Sequence, residues 1–195
     1  MGVIERKIRP AVFLDRDGVL LRATVRDGRP FPPSGIHDMQ LLPGVLKACR
    51  RLKEAGFTLI VATNQPDVAR GSQTRENVEA MHFHLRSILP LDDICTCFHD
   101  DHHHCLCRKP LPGLILDAAG DWGIDLAGSY LAGDRWRDIE AGKAAGCRTI
   151  LIDYAYREDH ESFPDIRVSS LTQAADWILQ NRQKEVQRHE DSDRP

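Results

Sequence analysis

Ala11-Val12-Phe13-Leu14-Asp15-Arg16-Asp17-Gly18-Val19 decides how this chain is read. Its first four residues are apolar throughout, as in a strand covered on both faces of a parallel sheet. Two carboxylates one residue apart follow directly, and then a glycine. A carboxylate at the end of a buried strand can act as nucleophile and metal ligand. A second one, displaced along the bend, can give and take a proton. On its own an Asp-x-Asp pair is ordinarily a solvated turn or a metal loop. Here the preceding strand, and the partners further along the chain, give it a catalytic reading.

Working outward, the apolar pattern predicts further strands at 57–62, 94–98, 130–132 and 148–152. Helical spacing of apolar residues predicts helices at 45–55, 74–89, 113–122, 136–145 and 171–182, with Thr74 as the N-cap of the second. Asp27-Gly28 and the prolines at 30, 32 and 33 read as a small hairpin or flap over 20–33. Strands alternating with helices imply an α/β fold, a doubly wound, Rossmann-like parallel sheet. In such sheets ligands bind outside the carboxyl ends of the strands. Asp15, Thr63 and Asp134 each follow a strand, so residues far apart in sequence are delivered to one edge.

The 195 residues suit one domain, read as 1–182, followed by a charged tail over 183–195 with no apolar period and no expected order. A net charge of −3 and 6% aromatic residues leave no basic, aromatic groove for nucleic acid. No apolar run is long enough to span a membrane. Met1–Lys7 has no apolar signal region, and Arg6 breaks the acylation motif that Gly2 would open. These readings predict a soluble, cytoplasmic protein; they do not bear on oligomeric state, for which a monomer is the expectation of a small chain with no cap domain.

The edge gathers Asp15, Asp17, Thr63, Asn64, Lys109 and Asp134, with Asp138 one turn into the following helix. So many carboxylates repel one another unless a cation sits among them, and an all-oxygen set suits magnesium. One lysine and a strand-end hydroxyl suit a phosphoryl group. The chemistry read from the residues is magnesium-dependent phosphoryl transfer.

Four of the six cysteines fall between Cys95 and Cys107. Cys97, His99, Cys105 and Cys107 form a C-x-H-x5-C-x-C array that suits a closed tetrahedral zinc site. Cys95 and the histidines at 102–104 stand near enough to substitute. Cys49 and Cys147 read as small buried residues. Arg108 and Lys109 follow Cys107 directly, so a zinc-stapled loop over 95–107 would hold both side chains over the site.

At this point the sequence resembles the haloacid dehalogenase superfamily. Asp15-Arg16-Asp17-Gly18-Val19 is similar to its first motif, Thr63-Asn64-Gln65 to its second, Arg108-Lys109-Pro110 to its third, and Gly133-Asp134 with Asp138 to its fourth. The likeness runs over 10–177. It implies that Asp15 forms an aspartyl phosphate and that Asp17 serves as acid, then base. It implies that Thr63 and Lys109 hold phosphoryl oxygens, and that Asp15, the Asp17 carbonyl and Asp134 bind magnesium. Arg108 and Arg135 would then meet the substrate, with Asn64 beside them. No separate cap domain fits the spacing.

The zinc loop and Cys-x-Cys-Arg-Lys-Pro resemble a capless branch acting on D-glycero-D-manno-heptose 1,7-bisphosphate and on histidinol phosphate. Thr63-Asn64-Gln65 followed by Ala69-Arg70-Gly71 is more similar to the heptose members, which implies removal of the C7 phosphate and a role in lipopolysaccharide biosynthesis. Histidinol phosphate or another small phosphorylated metabolite is the alternative. Val19, Leu21 and Pro66-Asp67 depart from the heptose pattern, away from the phosphoryl chemistry. A reading of a different class is a zinc-stabilised binding module without catalysis.

Overall fold

Strand β1 (Ala11–Leu14) lies at the centre, its four side chains wholly excluded from solvent. The computed structural model describes residues 8–158 and 160–192. Met1–Lys7, read above as having no apolar signal region, lies outside the described residues.

The chain continues through a hairpin, β2 (Thr24–Arg26) and β3 (Arg29–Phe31), into α1 (Val45–Glu54). Next come β4 (Thr58–Asn64), α2 (Arg75–Ile88) and β5 (Asp93–Cys97). After the cysteine loop follow α3 (Gly113–Trp122), β6 (Tyr130–Gly133), α4 (Trp136–Ala145) and β7 (Arg148–Ile152). The last elements are β8 (Ile166–Val168) and α5 (Leu171–Ser192). Six strands form one parallel sheet in the order β5-β4-β1-β6-β7-β8.

The pleat of β1 sorts the core into two layers. Val12 and Leu14 pack with α1, α2 and α5 side chains such as Leu52, Leu85 and Ile178. Ala11 and Phe13 face the other way, onto Ile115 and Ala118 of α3 and Ala141 of α4. Successive strand residues point to opposite faces, so an all-apolar run is what a sheet covered on both sides requires. Thr74 caps α2 as expected, its hydroxyl accepting from Asn77 N at 3.2 Å.

From β1 the chain winds outward through β4 and β5, then returns to β6 on the other side of β1. The direction of winding reverses at β1, which opens a crevice at its carboxyl end, where Asp15 sits. Only the hairpin, a 3-10 turn (Ile36–Asp38) and α1 separate β1 from β4, and only α2 separates β4 from β5, so the described residues include no cap domain.

Two features differ from the sequence reading. Strand β8 was not anticipated: three residues behind a proline are too few to show a period, and the strand is pinned by Asp165, whose carboxylate accepts from Thr149 N at 2.6 Å and Thr149 Oγ1 at 2.8 Å. Helix α5 also runs to Ser192, past the break expected at 183. Gln, Lys, Glu and Arg are good helix formers, and a helix already nucleated extends by one bond per residue. Residues 193–195 of the expected tail lie outside the described residues.

Candidate active site and metal centre

Asp15 leaves the end of β1 with its backbone N bonded to Ala132 O at 2.9 Å. Lys109 reaches it from the cysteine loop, donating from Nζ to Asp15 Oδ1 at 2.9 Å and to the Ala62 carbonyl at 2.6 Å. The same ammonium pairs closely with Asp138 Oδ1. Burial works against the charge on Lys109, but Asp138 and Asp15 outweigh it and hold the ammonium above the usual lysine range. Asp138 is anchored in turn, its Oδ2 accepting from Arg135 N at 3.1 Å in the first turn of α4.

Asp134 completes the group. Single oxygens of Asp15, Asp134 and Asp138 lie within 4.8 Å of one another. Burial, and then the charges of Asp15 and Asp138, push the Asp134 carboxyl well above its usual range. Burial and Asp15 likewise raise Asp138, against the pull of Lys109, to about 6. Asp134 Oδ1 is buried with no hydrogen-bond partner among the described residues. An orphaned carboxylate oxygen is costly. A hard cation among these oxygens answers both the repulsion and the orphan, so the residues fit magnesium. Two glycines make room. A Cβ on Gly18, which adopts φ +82°, would lie 1.9 Å from Asp134 Oδ2, and one on Gly133 would lie 2.1 Å from Asp138 Cβ.

Asp17 is held by a network that sequence reasoning missed. Arg16 is fully buried and donates from Nη2 to Asp17 Oδ2 at 2.8 Å and to Gln65 Oε1 at 2.9 Å. Gln65 Nε2 donates to Asp17 Oδ2 at 3.0 Å and to Thr63 Oγ1 at 2.9 Å. Arg16 Nη1 lies 3.1 Å from His82 Nε2. A guanidinium only donates, so this ring nitrogen accepts and the imidazole proton sits on Nδ1.

Burial first, then Arg16 and Arg86, lower the His82 pKa from 6.5 to about 3. Between those values the unfolded chain binds a proton that the folded one refuses. Stability therefore falls as pH drops through this window, by about 1.4 kcal/mol per pH unit from this group. His82→Gln has nothing to protonate and should lose stability on acidification with a slope shallower by that amount, read by denaturant titration between pH 6.5 and pH 4. Equal slopes would mean that His82 is not held neutral.

The other candidates divide by placement. Thr63 is buried at the end of β4. Asn64 uses both ends of its amide on the main chain of Lys109: Nδ2 donates to Lys109 O at 3.0 Å and Oδ1 accepts from Lys109 N at 3.1 Å. Arg108 and Arg135 line the cleft with Asp15, Asp17, Lys109 and Asp134, around about 450 Å³. Both are already paired, Arg108 Nε with Asp101 at 2.7 Å and Arg135 Nη2 with Glu158 at 2.9 Å. Arg137 of α4 also reaches Asp101, at 3.1 Å, while Arg70 forks onto Asp100 with two contacts of 2.7 Å. The more exposed of these, Arg137–Asp101 and Arg70–Asp100, contribute at most about 1 kcal/mol each, so their effect here is to fix arginines around the cleft.

The cysteine loop brings together the four groups expected of it. The Cys97, Cys105 and Cys107 sulfurs are 3.2 to 3.7 Å apart, and His99 Nδ1 is 3.4 Å from Cys107 and 3.7 Å from Cys97. A tetrahedron with Zn–S bonds of about 2.3 Å has edges of about 3.8 Å, so the set fits one zinc ion. Cys95 packs beside the cluster but is outside this group, and His102, His103 and His104 are exposed. Cys49 and Cys147 are buried, and burial pushes both thiols up to about 12.

A family model described as HAD-hydrolase-like matches residues 106–174, and curated relatives align with most of the chain: the protein belongs to the haloacid dehalogenase-like hydrolase family. Among its relatives, the D-glycero-D-manno-heptose-1,7-bisphosphate 7-phosphatase of Thermosynechococcus vestitus is 34% identical over 193 residues, covering 87% of this chain and 95% of that protein. The D-glycero-beta-D-manno-heptose-1,7-bisphosphate 7-phosphatase of Yersinia pestis is 37% identical, covering 87% and 89%. A crystal structure of the D,D-heptose 1,7-bisphosphate phosphatase from B. bronchiseptica, complexed with magnesium and phosphate, superposes with a TM-score of 0.71 at 31% identity, covering 88% of this chain and 99% of that one. Among the described residues no helix is long and apolar enough to cross a membrane.

Proposed function

We propose that this protein is a magnesium-dependent phosphatase that removes the C7 phosphate of D-glycero-D-manno-heptose 1,7-bisphosphate through an aspartyl phosphate on Asp15. The observation that carries the chemistry is the convergence of Asp15, Asp17, Lys109 and Asp134 on one cleft at the carboxyl end of β1. The relatives' names support the substrate. Arg29 and Arg157 line the same cleft and form no ion pair with a described residue, a disposition that suits a second phosphate on the substrate.

In the proposed reaction an Asp15 oxygen attacks phosphorus, and the bond from phosphorus to the sugar oxygen breaks. Asp17 gives its proton to that leaving oxygen. Water then attacks the aspartyl phosphate, Asp17 takes a proton from it, and the bond to Asp15 breaks to release phosphate. Lys109 neutralises the phosphoryl oxygens, while Asn64 holds the Lys109 main chain in place. Asp15, the Asp17 carbonyl and Asp134 would hold magnesium, which when bound supplies positive charge against the phosphoryl oxygens. Zinc at Cys97, His99, Cys105 and Cys107 would be structural, its four positions filled by protein. This chemistry needs no partner beyond the small phosphorylated sugar, and we assign a monomer working in the cytoplasm.

The test is phosphate release from both anomers of the heptose bisphosphate, histidinol phosphate, fructose 1,6-bisphosphate and a 3′-phosphorylated oligonucleotide, with and without magnesium. The expected result is a preference of about 100-fold or more for one heptose anomer, lost without magnesium. A flat profile would overturn the substrate assignment, and release unaffected by metal removal would overturn the magnesium site.

A further inference from the structure

We propose that Arg16, with Gln65 and His82, is the positioning device for Asp17, and that it selects Oδ1 as the oxygen that carries the proton. The inference rests on the proposed acid and base role of Asp17.

The carboxylate of Asp17 is bound unequally. Oδ2 accepts from Arg16 Nη2 at 2.8 Å, from Gln65 Nε2 at 3.0 Å and from Arg16 Nε at 3.1 Å. Among the described residues Oδ1 receives only Arg16 Nε, at 3.2 Å, shared with Oδ2. Three donors leave Oδ2 little lone-pair capacity, while Oδ1 remains available on a side chain that lines the cleft. Proton transfer needs one oxygen presented at a fixed angle, and a carboxylate able to rotate would present either.

Burial supports the same conclusion. Arg16 is wholly excluded from solvent, and Gln65 and His82 are only 3% and 8% exposed. A buried ion pair is a poor source of stability, and an apolar side chain of similar length would fill the space at lower cost. What the guanidinium adds is direction. Its planar fork is fixed on one side by Asp17 and Gln65 and on the other by the neutral ring of His82. Gln65 is oriented in turn, since its carbonyl accepts from Arg16 while its amide spans Asp17 and Thr63.

The test is a leaving-group series of 4-nitrophenyl, phenyl and benzyl phosphate, small esters suited to an uncapped cleft. 4-Nitrophenolate departs as a stable anion, whereas benzyl alcohol needs the proton. Arg16→Met should lower kcat/KM, which reports only the steps through loss of the leaving group, by about 100-fold for benzyl phosphate and by less than about threefold for 4-nitrophenyl phosphate. Arg16→Lys, which restores charge but not the fork, should recover part of the benzyl activity. An unchanged melting temperature and a retained burst of 4-nitrophenolate, which departs before Asp17 acts as base, report that the variants fold. If Arg16→Met does not fold, Arg16→Lys and Gln65→Met make the same comparison.

Asp17→Asn separates the two levels. Steep leaving-group dependence in Asp17→Asn but an equal loss across the series in the Arg16 and Gln65 variants would overturn the positioning role alone. An equal loss across the series in Asp17→Asn would overturn the acid role itself, and this inference with it.

Discussion

Asp15→Asn should keep the fold and lower turnover by about 10⁴-fold or more, the scale of loss when a covalent nucleophile is removed. The amide oxygen can still accept from Lys109, whose ammonium also keeps Asp138 and the Ala62 carbonyl, so the lysine has no reason to move. What disappears is one negative charge from a group of three. That charge contributes to the raised pKa of both Asp134 and Asp138. The metal-free variant should therefore melt no lower than the metal-free parent, because like-charge repulsion is relieved. Steady-state kinetics, intact-mass detection of the phosphorylated chain and a melting curve provide the check. Turnover within tenfold of the parent would place the nucleophile elsewhere, and undiminished ligand binding with no turnover in either protein would favour a non-catalytic module.

On the proposed zinc assignment, loss of that metal should act through position. Cys105→Ser, or removal of zinc by a chelator, should lower the melting temperature by about 10 °C, equivalent to about 4 kcal/mol in a chain of this size. It should also lower kcat/KM by about 100-fold with magnesium in excess, because Arg108 and Lys109 follow the last ligand and a displacement of about 1 Å is enough for such a loss. Cys95→Ser is the contrast, since Cys95 packs beside the cluster without belonging to it. It should retain one zinc ion per chain and most of the activity. Metal content by mass spectrometry decides the matter: zinc retained in Cys105→Ser would dismiss the centre.

The centre of the sheet was legible because its strands are buried on both faces and so read as apolar runs; β1 and β4 needed nothing more. The four-group cluster was legible because chelation restricts spacing, and Cys97-x-His99 mirrors Cys105-x-Cys107. Arg16 was not legible. Between two aspartates it has the look of a solvated turn residue, and only the packing of α2, which brings His82 against it, makes it a buried one. Asn64 presented itself as a substrate contact because it follows Thr63, yet its amide is bound at both ends to a residue 45 positions away. Arg108 and Arg135 reach the cleft with carboxylate partners, Asp101 and Glu158, that no local pattern links to them. Such pairings belong to tertiary contact, not to sequence period.

The uncapped cleft has a chemical consequence. An acyl phosphate is a phosphoryl donor as well as an intermediate, and its fate depends on which acceptor arrives first. A lid would shelter it from solvent long enough for a second hydroxyl of the sugar to turn round and collect the group, as an isomerising transferase requires. Among the described residues a short hairpin and surface loops border the crevice, with no cap domain over it, so water is the acceptor always at hand. On the proposed chemistry, the missing lid makes the reaction run one way, to inorganic phosphate.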